Sequence, residues 1–234
     1  MLAGCDDGAV RLDWAPEVGA RSVHRYELDA TITRAIEGEE PTVSELDVTV
    51  ETDAEVLELT EDGVRAEVTI RRDGADPRTA QVILGRGGTL EDLELVEGLP
   101  ADMSALGGLG ALFGAADLPP DEPLRPGDRW VVADDAIEGE GRLDRLGVVD
   151  GEQVAVVRTD VVEPLEPTAT SGLEGELHTR ATTTYDLGDG SVRRSASTST
   201  GSVTALIQPP VGVTADPVRA TIRYDVQVRV VRLR

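Results

Sequence analysis

The segment Val218–Val230, VRATIRYDVQVRV, constrains the fold more than any other stretch of this 234-residue chain. Val218, Ala220, Ile222, Tyr224, Val226, Val228 and Val230 fall at every second position. Arg219, Thr221, Arg223, Asp225, Gln227 and Arg229 fill the positions between them. A period of two places one set on each face of an extended strand, whereas the apolar stripe of a helix recurs every three to four residues. At about 3.3 Å per residue the segment would reach roughly 43 Å, more than twice the span of an ordinary strand of about five to six residues. A long strand with one wet face belongs in a large antiparallel sheet, because parallel sheets are covered on both sides.

The same alternation runs through most of the chain. SVHRYELDATITRA (22–35) sets His24, Tyr26, Leu28, Ala30 and Ile32 against Glu27, Asp29, Thr31 and Thr33. TVSELDVTVE (42–51) groups Leu46, Val48 and Val50, and GVRAEVTIRR (63–72) groups Val64, Ala66, Val68 and Ile70. TAQVIL, TLEDLELVE and DRWVVAD are further strand candidates. Asp-Gly pairs, the strongest short hairpin signal, stand at Asp62-Gly63, Asp150-Gly151 and Asp189-Gly190. The expected fold is therefore mainly β: one large, curved, half-barrel-like antiparallel sheet of long strands.

The centre departs from this pattern. In PADMSALGGLGALFGAADLPP (100–120), Met103, Leu106, Leu109, Leu112 and Phe113 recur at helical spacing, with Asp102 or Ser104 able to cap the start. Gly107, Gly108 and Gly110 each weaken such a helix by roughly 1 kcal/mol, so it needs an apolar surface to lie on. The expectation is a short helical lid at 101–114, inserted in a single β domain over 22–234. Residues 1–21 read as a flexible tether, with Trp14 as one packing point.

Charge removes several functions. A net charge of −23 opposes nucleic-acid binding, which depends on neutralising phosphates, and opposes electrostatic docking on anionic lipid. All 22 basic residues are arginine; neither lysine nor asparagine occurs, which fits a GC-rich coding sequence. The single cysteine, Cys5, excludes an internal disulfide. Asp6 and Asp7 beside it disfavour its thiolate and argue against a nucleophile.

Leu2, Ala3, Gly4 and Cys5 resemble the lipobox of bacterial lipoproteins. That resemblance implies lipidation of the Cys5 sulfur and an extracytoplasmic protein held to the cell membrane through it. No segment has the roughly 20 uninterrupted apolar residues that a spanning helix requires.

Catalytic signatures are missing from the sequence: no G-x-S-x-G elbow, no H-E-x-x-H, no phosphate-binding loop. His24 falls on the apolar face of its strand and His178 on a polar face, which fits one packed and one surface imidazole. Acidic neighbours such as Glu39-Glu40, Asp121-Glu122 and Asp134-Asp135 could imitate a glycosidase pair, but 45 acidic residues make such neighbours common. Two Trp, three Tyr and one Phe also leave little for stacking sugars. The reading is a non-enzymatic protein without metal or cofactor.

Few large rings on an aliphatic inner face, with a glycine-rich apolar segment above it, suit a cavity for an acyl chain or similar ligand. Tyr26, Leu28, Ile32, Val68, Ile70, Tyr185, Ile222, Tyr224 and Val226 are its expected lining, under a lid of Met103, Leu106, Leu109, Leu112 and Phe113. Anchor and sheet together resemble the half-barrel lipoprotein-carrier and mycobacterial glycolipid-carrier families of the bacterial envelope, which implies a lipid ligand. PDEPLRPGDRWVV and YDLGDGSV resemble stretches of exported lipoproteins. The alternative function is an envelope scaffold with a filled core that recognises another protein.

Overall fold

Alternating sequence becomes alternating burial. In β1 (Arg21–Ile36), His24, Tyr26, Leu28, Ala30 and Ile32 are buried, while Asp29 and Thr31 between them are exposed. The computed structural model describes residues 8–60, 63–84, 88–89, 119–134, 137–165, 173–207 and 218–234. The other strands are β2 (Thr42–Thr60), β3 (Gly63–Arg72), β4 (Arg78–Leu84), β5 (Arg129–Asp134), β6 (Ile137–Val149), β7 (Glu152–Leu165), β8 (Leu173–Asp186), β9 (Val192–Ile207) and β10 (Val218–Arg232). They form one open, wholly antiparallel ten-stranded sheet, ordered β4-β3-β2-β1-β10-β9-β8-β7-β6-β5.

Two meanders meet at a seam. β1 to β4 run outward in one direction and β10 back to β5 in the other, so the first and last strands are neighbours. Their register runs from His24 opposite Arg232 to Ile36 opposite Ala220. This arrangement puts the most strictly alternating strand, β10, in the middle, where both of its edges are hydrogen-bonded.

The turns follow local chemistry. β6 and β7 pair up to Val149 opposite Glu152, leaving Asp150 (φ 53°) and Gly151 (φ 88°) as a two-residue loop. Positive φ at both positions is the type I′ geometry that Asp-Gly favours. Gly63, by contrast, is not a loop residue: it already pairs with Thr60. The Asp189-Gly190 turn is longer than a tight hairpin, because Tyr185 pairs with Val192 across a bulge.

Three expectations change. β2 continues past residue 51 to Thr60; its inner positions Thr52, Ala54 and Val56 are buried, but Thr and Ala carry little apolar signal. Val218 is 37% exposed, since it sits at the end of β10 where the covered face runs out. The stretch expected as a flexible tether is held to the sheet from Val10 onward. Val10 and Leu124 exchange backbone hydrogen bonds of 2.8 and 2.7 Å, the Gly19 amide donates to Val56, and the Val56 amide donates to Ala20. Leu12 is buried with Leu124, Leu143, Ala155, Val157, Tyr185 and Val192 in a cluster of its own. The lid segment 101–114, the strand candidate TLEDLELVE beyond Thr89, and Cys5 lie outside the described residues.

Candidate functional site

Register carries the inner face across the strands as rows of side chains, since residues paired in antiparallel strands point the same way. One row is Val48, Leu28, Val228, Ser197, Ala181, Thr159, Gly141 and Trp130. Two residues along the strands, the next is Leu46, Ala30, Val226, Ser199, Thr179, Val161, Gly139 and Val132. The third holds Ile32, Tyr224, Gly201, Leu177 and Glu163.

The nine expected lining residues are all buried. Eight of them, all but Tyr185, belong to one apolar cluster spanning β1, β2, β3 and β10 and extended by Leu177 and Val203. Tyr185 belongs to the second cluster, beside Ala155, Val157 and Leu143, so it stands at the other end of the inner face. Each aliphatic side chain of this wall contributes about 1.5–3 kcal/mol of burial.

Side-chain height varies along each row. The β10 and β1 positions are Val, Leu, Ile and Tyr, whereas β9 contributes Ser195, Ser197, Ser199 and Gly201, and β8 contributes Thr179, Ala181 and Thr183. Such side chains reach only a short way from the backbone, so the floor is lowest along β8 and β9. Ser199, Thr179 and Thr183 are 1–3% exposed, and their hydroxyls bond one another: Thr179 with Ser199, and Thr183 with Ser195 at 2.8 Å. The result is a hydroxyl-paired gutter beside an aliphatic wall.

The far side of the gutter carries two buried polar atoms, Trp130 Nε1 and Glu163 Oε2, that have no hydrogen-bond partner among the described residues. Burial raises the Glu163 carboxyl above the ordinary carboxylate range. The Trp130 indole lies flat on Gly141, where a Cβ would collide with the ring. One donor and one acceptor thus stand ready on the inner face. Burying such groups unpaired costs free energy, which a ligand with complementary groups would recover.

Sequence reasoning missed this gutter. In RRSASTSTGSV both faces of the strand are small or polar, so no apolar alternation shows which face is inward. Only pairing with Val226 and Val228 orients it.

The two histidines sit far apart in character. His24 is 1% exposed, its Nε2–H directed at the Val192 carbonyl 3.3 Å away, and burial lowers its pKa to about 4. His178 is exposed, 3.2 Å from Glu176. Among the described residues, no three His, Cys, Asp or Glu come together as metal ligands.

No protein-family model matches the chain, and no curated protein matches it. Among solved structures, a LolA superfamily protein from Nitrosomonas europaea aligns over 89% of this chain and 86% of its own, at 7% identity and a TM-score of 0.18. A superposition of that quality carries no argument, so function has to be read from the site itself.

Proposed function

We propose that this chain is a non-enzymatic binding protein that holds an amphipathic, largely apolar ligand against the inner face of its sheet. The observation that carries the reading is the inner face itself, where an aliphatic wall and a low gutter of small residues adjoin two polar atoms unpartnered among the described residues. Ligand sites of this kind are mostly apolar, with a few polar groups that fix orientation. In this reading Tyr26, Leu28, Ile32, Ile222, Tyr224 and Val226 contact the apolar body, while Glu163 and Trp130, two rows and two strands apart, meet separate polar groups of the ligand. In this reading residues 22–234 act as one half-barrel domain.

The lipobox-like LAGC at residues 2–5 supports an extracytoplasmic location with the protein tethered through a lipid on Cys5. One acyl chain gives only marginal anchoring, so a stable tether requires a second chain.

Native mass spectrometry of the protein purified from its own membranes tests the binding reading. A bound amphiphile of defined mass is expected, and it should be absent from Ser199→Leu, whose larger side chain occupies the gutter. A wild-type protein that carries no adduct and takes up none from a lipid extract would sink the reading. Intact-mass analysis tests the tether separately: a lipid mass on Cys5 that disappears in Cys5→Ser is expected, and an unmodified thiol in native membranes contradicts it.

A further inference from the structure

The outer face of the sheet carries ion pairs on both halves, among them Arg158 with Asp144 at 2.7 Å and Arg180 with Asp160 at 2.9 Å over β6 to β8, and one hollow lined by no carboxylate. Over β1, β2 and β3 its arginines meet carboxylates: Arg21 pairs with Glu55, Arg25 with Glu51 at 2.6 Å, and Arg71 with Asp53 at 3.7 Å. Over β6 to β10 the same face opens into a concavity of about 620 Å³. Val154, Val156, Thr182 and Thr184 line its floor, and Arg145, Arg194 and Arg229 rim it. Register sets Val156, Thr184, Arg194 and Val231 in one row, and Thr182, Ala196 and Arg229 in the next.

This is a hollow and not a flat wet surface. Val154 and Val156 are 1% and 7% exposed although they point away from the inner core. Bulges at Leu143/Arg145 and Thr184/Tyr185 flank them, and bulges bend strands and increase local twist. Val148 and Val231 leave further apolar surface exposed at the edge.

The charge around the hollow is one-sided. No Asp or Glu lines it, in a chain with 45 of them. Among the described residues, Arg145, Arg194 and Arg229 form no ion pair. Arg229 stands opposite Glu27 in the register, but no ion pair forms there, and Glu27 acts on the Arg25 guanidinium. A net charge of −23 repels anions from most of this surface, so a site cleared of carboxylates is where an anion can rest. Guanidinium groups bind carboxylates through paired charge-assisted hydrogen bonds, and the accessible valines beside them suit a short alkyl chain.

We propose that this outer hollow is a second binding site, distinct from the inner face, for an anionic amphiphile with a single short chain. Its carboxylate would bridge Arg194 and Arg229, and its chain would lie against Val148 and Val231, the accessible valines of the lining.

The test is a backbone-amide NMR titration of the full chain with octanoate and, separately, with 1-octanol. Octanoate should shift Val156, Thr184, Ala196 and Val231 and bind roughly tenfold more tightly than the alcohol. Replacing both arginines (Arg194→Ser with Arg229→Ser) should weaken octanoate by a similar factor and leave octanol unchanged. Ala196→Glu, which sets a carboxylate between the two arginines, should weaken octanoate as well, with both cations still in place. Shifts confined to inner residues such as Leu28 and Val226 would overturn the proposal. So would an alcohol that binds as tightly as the acid, or a double variant that keeps wild-type affinity. None of these substitutions touches the inner face, so failure here leaves the inner site standing.

Discussion

At His24 a titratable ring is enclosed by the sheet, and its protonation is coupled to folding. Burial lowers its pKa from 6.5 to about 4, against a smaller upward pull from the Val192 carbonyl. The unfolded chain therefore takes up a proton near pH 6.5 that the folded chain refuses until about pH 4. Stability is complete above that window and declines by roughly 3 kcal/mol as pH falls through it. Urea denaturation across the window should show this loss, and His24→Phe should flatten it. Asp189 acts lower on the scale. Burial alone would raise its carboxyl, but hydrogen bonds from Ser191 and Arg232 outweigh that and hold it below 3.8, so its contribution is lost only below the His24 window. Beside it, Gly190 has φ 74°, and a Cβ there would meet the Asp13 carbonyl. Gly190→Ala should cost more than about 1 kcal/mol and loosen the segment around Trp14. Thermal denaturation and proteolysis near Trp14 would report the two effects.

Among the elements, β9 and β10 show what a sequence discloses and what it withholds. β10 alternates so strictly that its inner face, Ala220 to Val230, is readable from the chain alone, apart from Val218 at its exposed end. β9 has small or polar residues on both sides, and its direction is set by partners on either edge. The gutter therefore exists only as a pairing of elements. Ser199→Leu should cost about 1–3 kcal/mol, because it leaves the buried Thr179 hydroxyl without its Ser199 partner, while it abolishes ligand binding, a combination that denaturation and native mass spectrometry read separately. In the second cluster, Leu143, on β6 opposite Val157 of β7, is fully buried. Leu143→Ala should cost about 2–5 kcal/mol, measured by denaturant titration, because the surrounding strands can collapse only partly into the space.

For the whole molecule, the seam between β1 and β10 joins two meanders that are otherwise local in sequence. That single junction makes one sheet from the two halves. A charge of −23 spread over this sheet repels itself at long range, because most of its ion pairs, such as Arg180 with Asp160 at 2.9 Å, are exposed and contribute little each. Added salt shortens the screening length from about 30 Å at 0.01 M to about 8 Å at 0.15 M. The melting temperature should therefore rise across that range. A flat or falling response would mean that the local pairs outweigh the repulsion.

The positions of β1, β3 and β10 with their wet and dry faces, and the Asp150-Gly151 turn, follow from the amino-acid order, because period two and positive φ are properties of a few adjacent residues. The inward position of the nine residues expected to line a cavity follows on the same ground, and all nine are buried. The neighbours of each strand, the hydroxyl gutter, the polar atoms of Glu163 and Trp130 left unpartnered among the described residues, and the arginine-rimmed hollow arise between residues tens to hundreds of positions apart. No local pattern encodes them. They depend on the register at which ten strands pair, and burial of one face over the whole sheet fixes that register.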